Sequence, residues 1–265
     1  MALRALLLLD IDGVLRDVAG SYRRAIADTV EHYSGWRPDA RAIDALKAEG
    51  LWNNDWQAAE ELLHRRRKAA GGFALPPFAA LVEVFSGFYF GGDPAADPLT
   101  WHGHIRDEPL LVTTDFFHQL SAAGIGWGFV SGAEPSSARF VLERRLELVL
   151  PPLLAMGDAP DKPDPTGFLQ LAEQLAQAGD RPLTRLPVAY IGDTVADVMT
   201  VVRARQVRPE LSLKALAVLP PHVARAEPAI AAAYGRRLRD AGGDRVLTRI
   251  DQLTPSTLLD WLGCP

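Results

Sequence analysis

A run of five apolar residues, Ala5 to Leu9, ends abruptly at the acidic sequence Asp10-Ile11-Asp12-Gly13-Val14. A short apolar run of this kind predicts a buried strand of a parallel sheet, and ligands bind at the carboxyl edge of such sheets in open α/β folds. Asp10 and Asp12 are two residues apart, so both carboxylates lie on one side of an extended chain and can serve a single site. The same residues also suit an ordinary strand end followed by a turn, and this segment alone leaves both interpretations open.

The length of 265 residues allows one large domain or two unequal ones. Apolar residues make up 48% of the chain and charged residues 23%, which is typical of a folded globular protein. The net charge of −5 is not offset by a long basic stripe, so nucleic acid is not expected as a partner. The short cluster Arg65-Arg66-Arg67-Lys68 is interpreted as the solvated end of a helix, where cations suit the helix dipole.

Cys264 is the single cysteine, which excludes an intramolecular disulfide and argues against a thiolate metal site. This fits a reducing compartment, and we expect a cytoplasmic protein. The apolar stretch before Asp10 is too short for a signal-peptide core or a membrane span, so no membrane association is expected.

Helical periodicity dominates residues 17–105, where no segment reads as a convincing strand. The first predicted helix begins near Gly20. The second follows Asn54, whose side chain can cap it, and runs to Ala70. The third covers Pro77 to Phe88 and is followed by a linker rich in Asp-Pro pairs. We therefore predict a helical domain over residues 17–105, inserted into a core formed by residues 1–16 and 106–265.

An alternating pattern of helices and strands begins near Leu110 and continues to the end of the chain. Such alternation predicts a parallel sheet with helices on both faces. The predicted fold is α/β, a Rossmann-like doubly wound core with an all-helical cap that covers the carboxyl edge of the sheet. The predicted elements after the cap are helices at 114–123, 136–145, 166–178 and 196–204, and strands at 125–130, 153–156, 187–191, 215–219 and 245–250.

Four polar signals occur in order at predicted strand ends or loops. They are Asp10-Ile11-Asp12-Gly13, Ser131-Gly132, Lys162-Pro163 and Gly192-Asp193-Thr194-Val195-Ala196-Asp197. Three of them end predicted parallel strands, so the fold would bring them to the same edge of the sheet. Each signal is weak alone, but together their residue types are those that phosphoryl transfer through a carboxylate requires.

Carboxylate oxygens are the ligands that Mg²⁺ prefers, and a bound cation reduces the repulsion between a phosphoryl group and an anionic nucleophile. We expect the carboxylates of Asp10 and Asp193 and the backbone carbonyl of Asp12 to hold Mg²⁺. Asp10 would also be the nucleophile that forms an aspartyl phosphate. Asp12 would protonate the leaving alkoxide and then take a proton from the attacking water.

The remaining polar residues suit the phosphoryl oxygens. Ser131 can donate a hydrogen bond through its hydroxyl, and the amide of Gly132 lies near a predicted helix start that favours anions. Lys162 supplies a compact positive charge among the carboxylates. Asp197 would either bind the metal through water or orient Lys162. The structural alternatives are a surface cap for Ser131, a solvated Lys162 and an ordinary helix-start acid for Asp197.

These four motifs, in this order, resemble those of the haloacid dehalogenase-like hydrolases, and the resemblance spans nearly the whole chain. It implies a Rossmann-like core with a mobile cap, with Asp10 as nucleophile and Asp12 as acid/base. Ser131, Lys162, Asp193 and Asp197 correspond to the later motifs. A helical insertion after the first motif is similar to the cap of the phosphoglycolate phosphatase and β-phosphoglucomutase branch.

Within that family, Asp12 argues against the dehalogenases and phosphonoacetaldehyde hydrolase, which lack an Asp at this position. The resemblance thus implies an Mg²⁺-dependent phosphatase acting on a small phosphorylated metabolite. A phosphosugar mutase is the main alternative, although Gly-Asp-Thr-x-x-Asp is more similar to the phosphatases. A non-catalytic phospho-receiver is disfavoured by the chain length and by the position of Lys162 before the last acidic pair. A binding protein without turnover also stays open.

Lys47, Asn53 and Asn54 are candidate substrate-specificity residues of the cap. The alternative, which we favour, is that Asn54 caps a helix while Trp52 and Trp56 pack within the cap. His102 and His104 alternate near the hinge and are interpreted as polar linker residues. The sequence specifies neither the physiological substrate nor the oligomeric state.

Overall fold

A computed structural model describes residues 2–49, 51–52 and 54–264 of the chain. The chain divides into two compact units, one formed by Met1–Asp17 with Pro109–Pro265 and the other by Val18–Glu108. Among the described residues, no helix is both long and apolar enough to cross a membrane.

The first unit is built on a six-stranded parallel sheet. Its spatial order is β3-β2-β1-β4-β5-β6. The strands are β1 (Ala5–Leu9), β2 (Ile125–Val130), β3 (Leu153–Leu154), β4 (Val188–Gly192), β5 (Leu213–Val218) and β6 (Arg245–Leu247). Strand β1 lies in the middle of the sheet, β2 and β3 extend it on one side, and β4, β5 and β6 extend it on the other, which is doubly wound topology.

Strand β1 lies between β2 and β4, with Leu6 paired to Gly126 on one side and to Val188 on the other. All five of its residues are fully buried, which is why the strand is apolar at every position and does not alternate. The register places the carboxyl ends of β1, β2 and β4 side by side, so the predicted α/β fold is confirmed.

Among its described residues, the second unit contains helices and no strand. Its helices are α1 (Ser21–Ser34), α2 (Ala40–Ala48), α3 (Asp55–Ala70) and α4 (Phe78–Phe90). Asn54 caps α3 by accepting a hydrogen bond from the Gln57 amide at 3.1 Å, as the sequence predicts. The sequence prediction does not include helix α2, although Asp39 caps it through the Ala42 amide in the same way.

Further helices, within the described part of the first unit, flank the sheet or follow its strands. They are α5 (Thr114–Ala122), α6 (Pro135–Arg139), α7 (Thr166–Ala178), α8 (Val195–Val207), α9 (Pro221–Ala224), α10 (Pro228–Asp240) and α11 (Pro255–Leu262). Helices α7 and α8 pack Phe168, Leu171 and Val201 against Leu6 and Leu8 of β1 in one apolar cluster. The sequence prediction does not include α9, α10 or α11.

The structure corrects three predicted elements. The helix expected at 136–145 is α-helical only in α6 and then widens to a π-helix over Phe140–Arg145. The strand expected at 153–156 ends at Leu154, because the next amide, Ala155, donates to the Asp158 side chain at 2.9 Å. The strand expected at 245–250 ends at Leu247.

The early end of β6 has a similar cause. The amides of Thr248 and Arg249 donate to the side-chain carbonyl of Gln252, at 3.1 and 3.2 Å. A backbone amide satisfied by a local side chain is withdrawn from the sheet ladder.

Candidate active site

Two aspartates face each other at the carboxyl ends of adjacent strands. Asp10 follows β1, and its amide donates to the carbonyl of Ile191 in β4 at 2.9 Å. Asp193 follows β4 directly. One carboxylate oxygen each from Asp10, Asp193 and Asp197 lies within 4.8 Å of the others, which is close enough to share one cation. Oxygen-only donors of this kind fit a hard divalent ion.

Two glycines make room for this cluster. Gly13 has φ of +75°, and a Cβ built there would overlap the Asp193 carboxylate. A Cβ on Gly192 would overlap the carboxyl group of Asp197. Both glycines are therefore required by the close approach of an acidic side chain to the backbone.

Replacing Gly13 by alanine should displace Asp193 and strain the backbone, because a residue with a Cβ rarely adopts this φ. We expect a loss of about 1–3 kcal/mol in the free energy of unfolding, measured by urea denaturation, together with weaker binding of divalent cations. Gly87→Ala is the matched control, since Gly87 lies within α4 with open space around its Cα. A Gly13→Ala variant as stable as wild type would contradict this account.

Lys162 is the cation of the site. Its Nζ lies 3.0 Å from Asp10 Oδ2 and 2.5 Å from Asp197 Oδ1. Burial lowers the pKa of Lys162, but the carboxylates of Asp10 and Asp197 outweigh burial and hold it well above its ordinary value. Lys162 is therefore charged at neutral pH and bonded to one carboxylate after β1 and one in the first turn of α8.

Asp197 uses both carboxylate oxygens within the protein. Oδ1 accepts from Lys162, while Oδ2 accepts from the Thr194 amide at 2.9 Å and from its hydroxyl at 2.5 Å. Thr194 and Asp197 thereby form a capping box at the start of α8. Burial raises the pKa of Asp197, but the charge of Lys162 and the hydrogen bonds from Lys162 and Thr194 lower it by more, so the net shift of the pKa is downward. Of the two roles considered for Asp197, these contacts favour the orientation of Lys162.

The pKa values of Asp10 and Asp193 shift in the opposite direction, upward. Burial raises the pKa of Asp10 to about 6, although Lys162 lowers it, and the nearby Asp197 and Asp12 raise it again. Burial, followed by the charges of Asp197 and Asp10, raises the pKa of Asp193 well above its ordinary value. Crowded carboxylates in a poorly hydrated site favour either a proton or a metal ion.

Ser131 and Gly132 lie at the end of β2, next to Lys162. These three residues line a cavity of about 30 Å³ together with Met156 and Asp161. The Ser131 side chain is buried, and its oxygen accepts from the Ala133 amide at 3.2 Å, which leaves the hydroxyl proton available to an anion.

Asp12 is bonded to a buried arginine beside this cluster. Its Oδ1 accepts a hydrogen bond from Arg16 Nε at 2.6 Å, and its side chain remains 28% exposed. Arg16 is not among the site residues predicted from the sequence, although a lone cation after the apolar pair Val14-Leu15 was a visible signal.

Tyr190 is a second residue that the sequence analysis missed. Its hydroxyl accepts from Lys162 at 3.1 Å and donates to the Val130 carbonyl at 2.8 Å, so it links β4 to the end of β2. The signal in the sequence was a single hydroxyl group within the otherwise apolar strand β4.

The cap candidates engage partners within their own unit. Lys47 Nζ lies 2.6 Å from Asp55 Oδ1, Asn54 caps α3, and Asn53 lies outside the described residues.

The two histidines near the predicted hinge also have partners. His104 Nε2 lies 2.5 Å from Asp28 Oδ2, whereas the exposed His102 contacts the Thr100 carbonyl. These contacts are of the structural kind that the sequence analysis favoured.

The fold and the site together define an α/β enzyme with an acidic, lysine-containing site at a sheet edge. The family model of the haloacid dehalogenase-like hydrolases matches residues 5–205, and the chain belongs to this family. The resemblance drawn from the four motifs is thereby confirmed.

Solved structures of other proteins share the fold, and two of them illustrate it. A HAD family hydrolase from Deinococcus radiodurans, with bound phosphate and sodium, is 18% identical, with a TM-score of 0.63 and coverage of 99% of this chain and 98% of that one. Phosphatase Tt82 from Thermococcus thioreducens is 20% identical, with a TM-score of 0.58 and coverage of 86% and 98%.

A curated relative is similar in sequence. An imidazoleglycerol-phosphate dehydratase from Phytophthora nicotianae is 30% identical over 195 residues, which are 73% of this chain and 40% of that protein. The chain therefore spans well under half the length of this relative.

Proposed function

We propose that the protein is a phosphatase that hydrolyses a small phosphate monoester through an aspartyl phosphate on Asp10, with Mg²⁺ as its cofactor. The observation that carries the proposal is the position of Asp10, whose Oδ2 lies 3.0 Å from a charged lysine and whose Oδ1 accepts the Ile11 amide at 2.8 Å. These two contacts fix the carboxylate at the edge where β1 and β4 end. The net charge and the absence of a basic stripe support a small metabolite as substrate and disfavour nucleic acid.

The residues of the site then divide the reaction among them. The Asp10 carboxylate attacks phosphorus while the bond to the leaving oxygen breaks, and Asp12 gives that oxygen a proton. A water molecule next attacks the phosphorus of the aspartyl phosphate, Asp12 takes its proton, and inorganic phosphate and free Asp10 are released. Ser131, the Gly132 amide and Lys162 bind the phosphoryl oxygens, while Asp197 and Tyr190 hold Lys162 in place.

The carboxylates of Asp10 and Asp193 and the backbone carbonyl of Asp12 would hold the Mg²⁺ ion. Asp197 lies within range of the same ion but is already bonded to Lys162 and Thr194. When bound, the cation neutralises negative charge on the phosphoryl group and the nucleophile.

The helical unit, Val18–Glu108, is proposed to act as the cap, with Lys47, Asn53 and Asn54 as candidates for contact with the substrate. If cap opening controls access, small phosphoesters are preferred over phosphoproteins. Equal turnover of both substrate types would contradict this part of the proposal.

The proposal is tested with a panel of phosphate monoesters in the presence of Mg²⁺ or EDTA. The panel contains phosphoglycolate, hexose phosphates, an aryl phosphate and imidazoleglycerol phosphate, the last because of the name of the curated relative. Steady release of phosphate that requires Mg²⁺ is expected. Conversion of a hexose 1-phosphate to its 6-phosphate without phosphate release would indicate a mutase. A single phosphorylation without turnover would indicate a receiver, and no reaction would indicate a binding protein.

The effect of Mg²⁺ on stability should depend on pH. The pKa of Asp10 is raised from 3.8 to about 6, so between these values the folded protein holds a proton that the unfolded chain releases. Stability without metal therefore falls as pH rises through this window, and the raised pKa of Asp193 extends the fall upward. Because Mg²⁺ replaces these protons, the Mg²⁺-induced rise in melting temperature should be larger at about pH 7.5 than at about pH 5. An increase that is equal at both pH values would contradict the assignment.

A further inference from the structure

Arg16 is the most deeply buried charged side chain among the residues that the structure describes. Its side chain is 0% exposed, although arginine is almost never fully buried without a partner. Its Nε donates to Asp12 Oδ1 at 2.6 Å, and a terminal nitrogen, Nη2, donates to the hydroxyl of Ser137 at 2.8 Å. Ser137 is itself buried at the start of α6, so the arginine is anchored from both sides.

The backbone reinforces this arrangement. The Gly13 amide donates to the Arg16 carbonyl at 2.9 Å, and the Arg16 amide donates to the Ile11 carbonyl at 3.3 Å. The segment after β1 therefore folds into a compact turn in which both the side chain and the main chain of Arg16 are hydrogen-bonded. Asp12 cannot change its side-chain position freely without breaking the bond to Arg16.

The contacts distinguish the two oxygens of Asp12. Oδ1 is held by Arg16, whereas Oδ2 has no hydrogen bond to any residue that the structure describes, and the side chain remains 28% exposed. A group that gives and then takes a proton must present one oxygen at a defined place. The guanidinium suits this task because its N–H groups point in different directions, so it can donate to the Asp12 carboxylate and to the Ser137 hydroxyl at once.

We propose that Arg16 is a positioning residue that holds the Asp12 carboxylate by Oδ1 and thereby presents Oδ2 for proton transfer. This inference rests on the proposed function, since it concerns the acid/base step of that reaction. Arg16 itself need touch neither the substrate nor the metal.

The test is the dependence of kcat/KM on the leaving group, because this ratio reports the step in which the leaving oxygen departs. An alkoxide needs a proton from Asp12, whereas nitrophenolate leaves without one. Arg16→Met should lower kcat/KM for alkyl phosphates by about 10- to 100-fold, and for nitrophenyl phosphate by less than about threefold. Loss of folded protein would lower both by the same factor, so a purely structural role predicts no such split.

Three variants complete the experiment. Asp12→Asn should show the same selective loss, and the double variant Asp12→Asn/Arg16→Met should lose little more than Asp12→Asn, because both changes act on one step. Arg139→Met, at an exposed arginine of α6 paired with Glu143, should leave both substrates unaffected. If Arg16→Met does not fold, Ser137→Ala removes only the hydrogen bond from Arg16 Nη2 and should produce a smaller loss with the same leaving-group selectivity.

Equal losses for both substrates in Arg16→Met or Ser137→Ala, with a wild-type enzyme that turns over both, would overturn the role of Arg16 and leave the proposed phosphatase intact. A wild-type protein that hydrolyses no phosphoester would overturn both proposals.

Discussion

Asp10→Asn is expected to reduce phosphatase turnover by about 10³-fold or more, because an amide cannot form the aspartyl phosphate, which is an acyl phosphate, and removal of a nucleophile leaves only binding and electrostatic effects. Phosphate release with Mg²⁺ present measures the loss. The fold should survive, since burial and the neighbouring acids already disfavour the charge on Asp10. The melting temperature without metal at about pH 7.5 should therefore be no lower than that of wild type.

Asp180→Asn is the matched control, at an exposed aspartate beyond α7 that lies outside the site. It should retain full turnover. An Asp10→Asn variant with wild-type turnover would rule out the covalent mechanism. A variant that loses both turnover and fold would contradict the expectation that the charge on Asp10 does not stabilise the folded protein.

Lys162→Met is expected to damage both stability and activity. It leaves the buried Asp197 without its cation, and removal of one partner of a buried ion pair costs about 3–5 kcal/mol. Burial already raises the pKa of Asp10 to about 6, and loss of the lysine removes the charge that lowers it. We expect urea denaturation to show a free energy of unfolding lower by about 3–5 kcal/mol, and turnover to fall by about 10²-fold or more.

The comparison for this variant is Lys68→Met, at an exposed lysine in the last turn of α3. Lys68→Met should match wild type in both measurements. If Lys162→Met unfolds at the wild-type urea concentration, the contacts with Asp10 and Asp197 do not contribute the electrostatic stabilisation assigned to them here.

The sequence predicts the main-chain frame of the site well because parallel topology imposes a simple rule. Apolar runs that end in polar residues become strands, and their carboxyl ends meet at one edge. Asp10, Ser131 and Asp193 could therefore be grouped from the sequence, and the structure brings them together with Lys162. The resemblance to a known family added roles to these positions, which remain proposals.

The contacts within the site could not be predicted in the same way. Whether Asp197 faces a metal ion or Lys162 depends on side-chain directions, which a four-residue spacing does not specify. The Arg16 side chain turns inward because Asp12 and Ser137 offer partners, and Ser137 is 121 residues away in the chain. The strands that end at Leu154 and Leu247 are short because the side chains of Asp158 and Gln252 accept hydrogen bonds from the backbone amides that follow and so compete locally with the sheet.

The central position of β1 has a consequence during synthesis. Its neighbours in the sheet begin at residues 125 and 188, so the strand that carries Asp10 emerges from the ribosome long before either neighbour exists. At about 5–20 residues per second, roughly ten to forty seconds pass before β4 is complete. Until β2 is made, the five consecutive apolar residues of β1 have no sheet partner, and until β4 is made one edge of β1 stays unpaired. Such a segment is prone to aggregation. We therefore expect the nascent chain to depend on chaperones until β4 is made, and the site to form late.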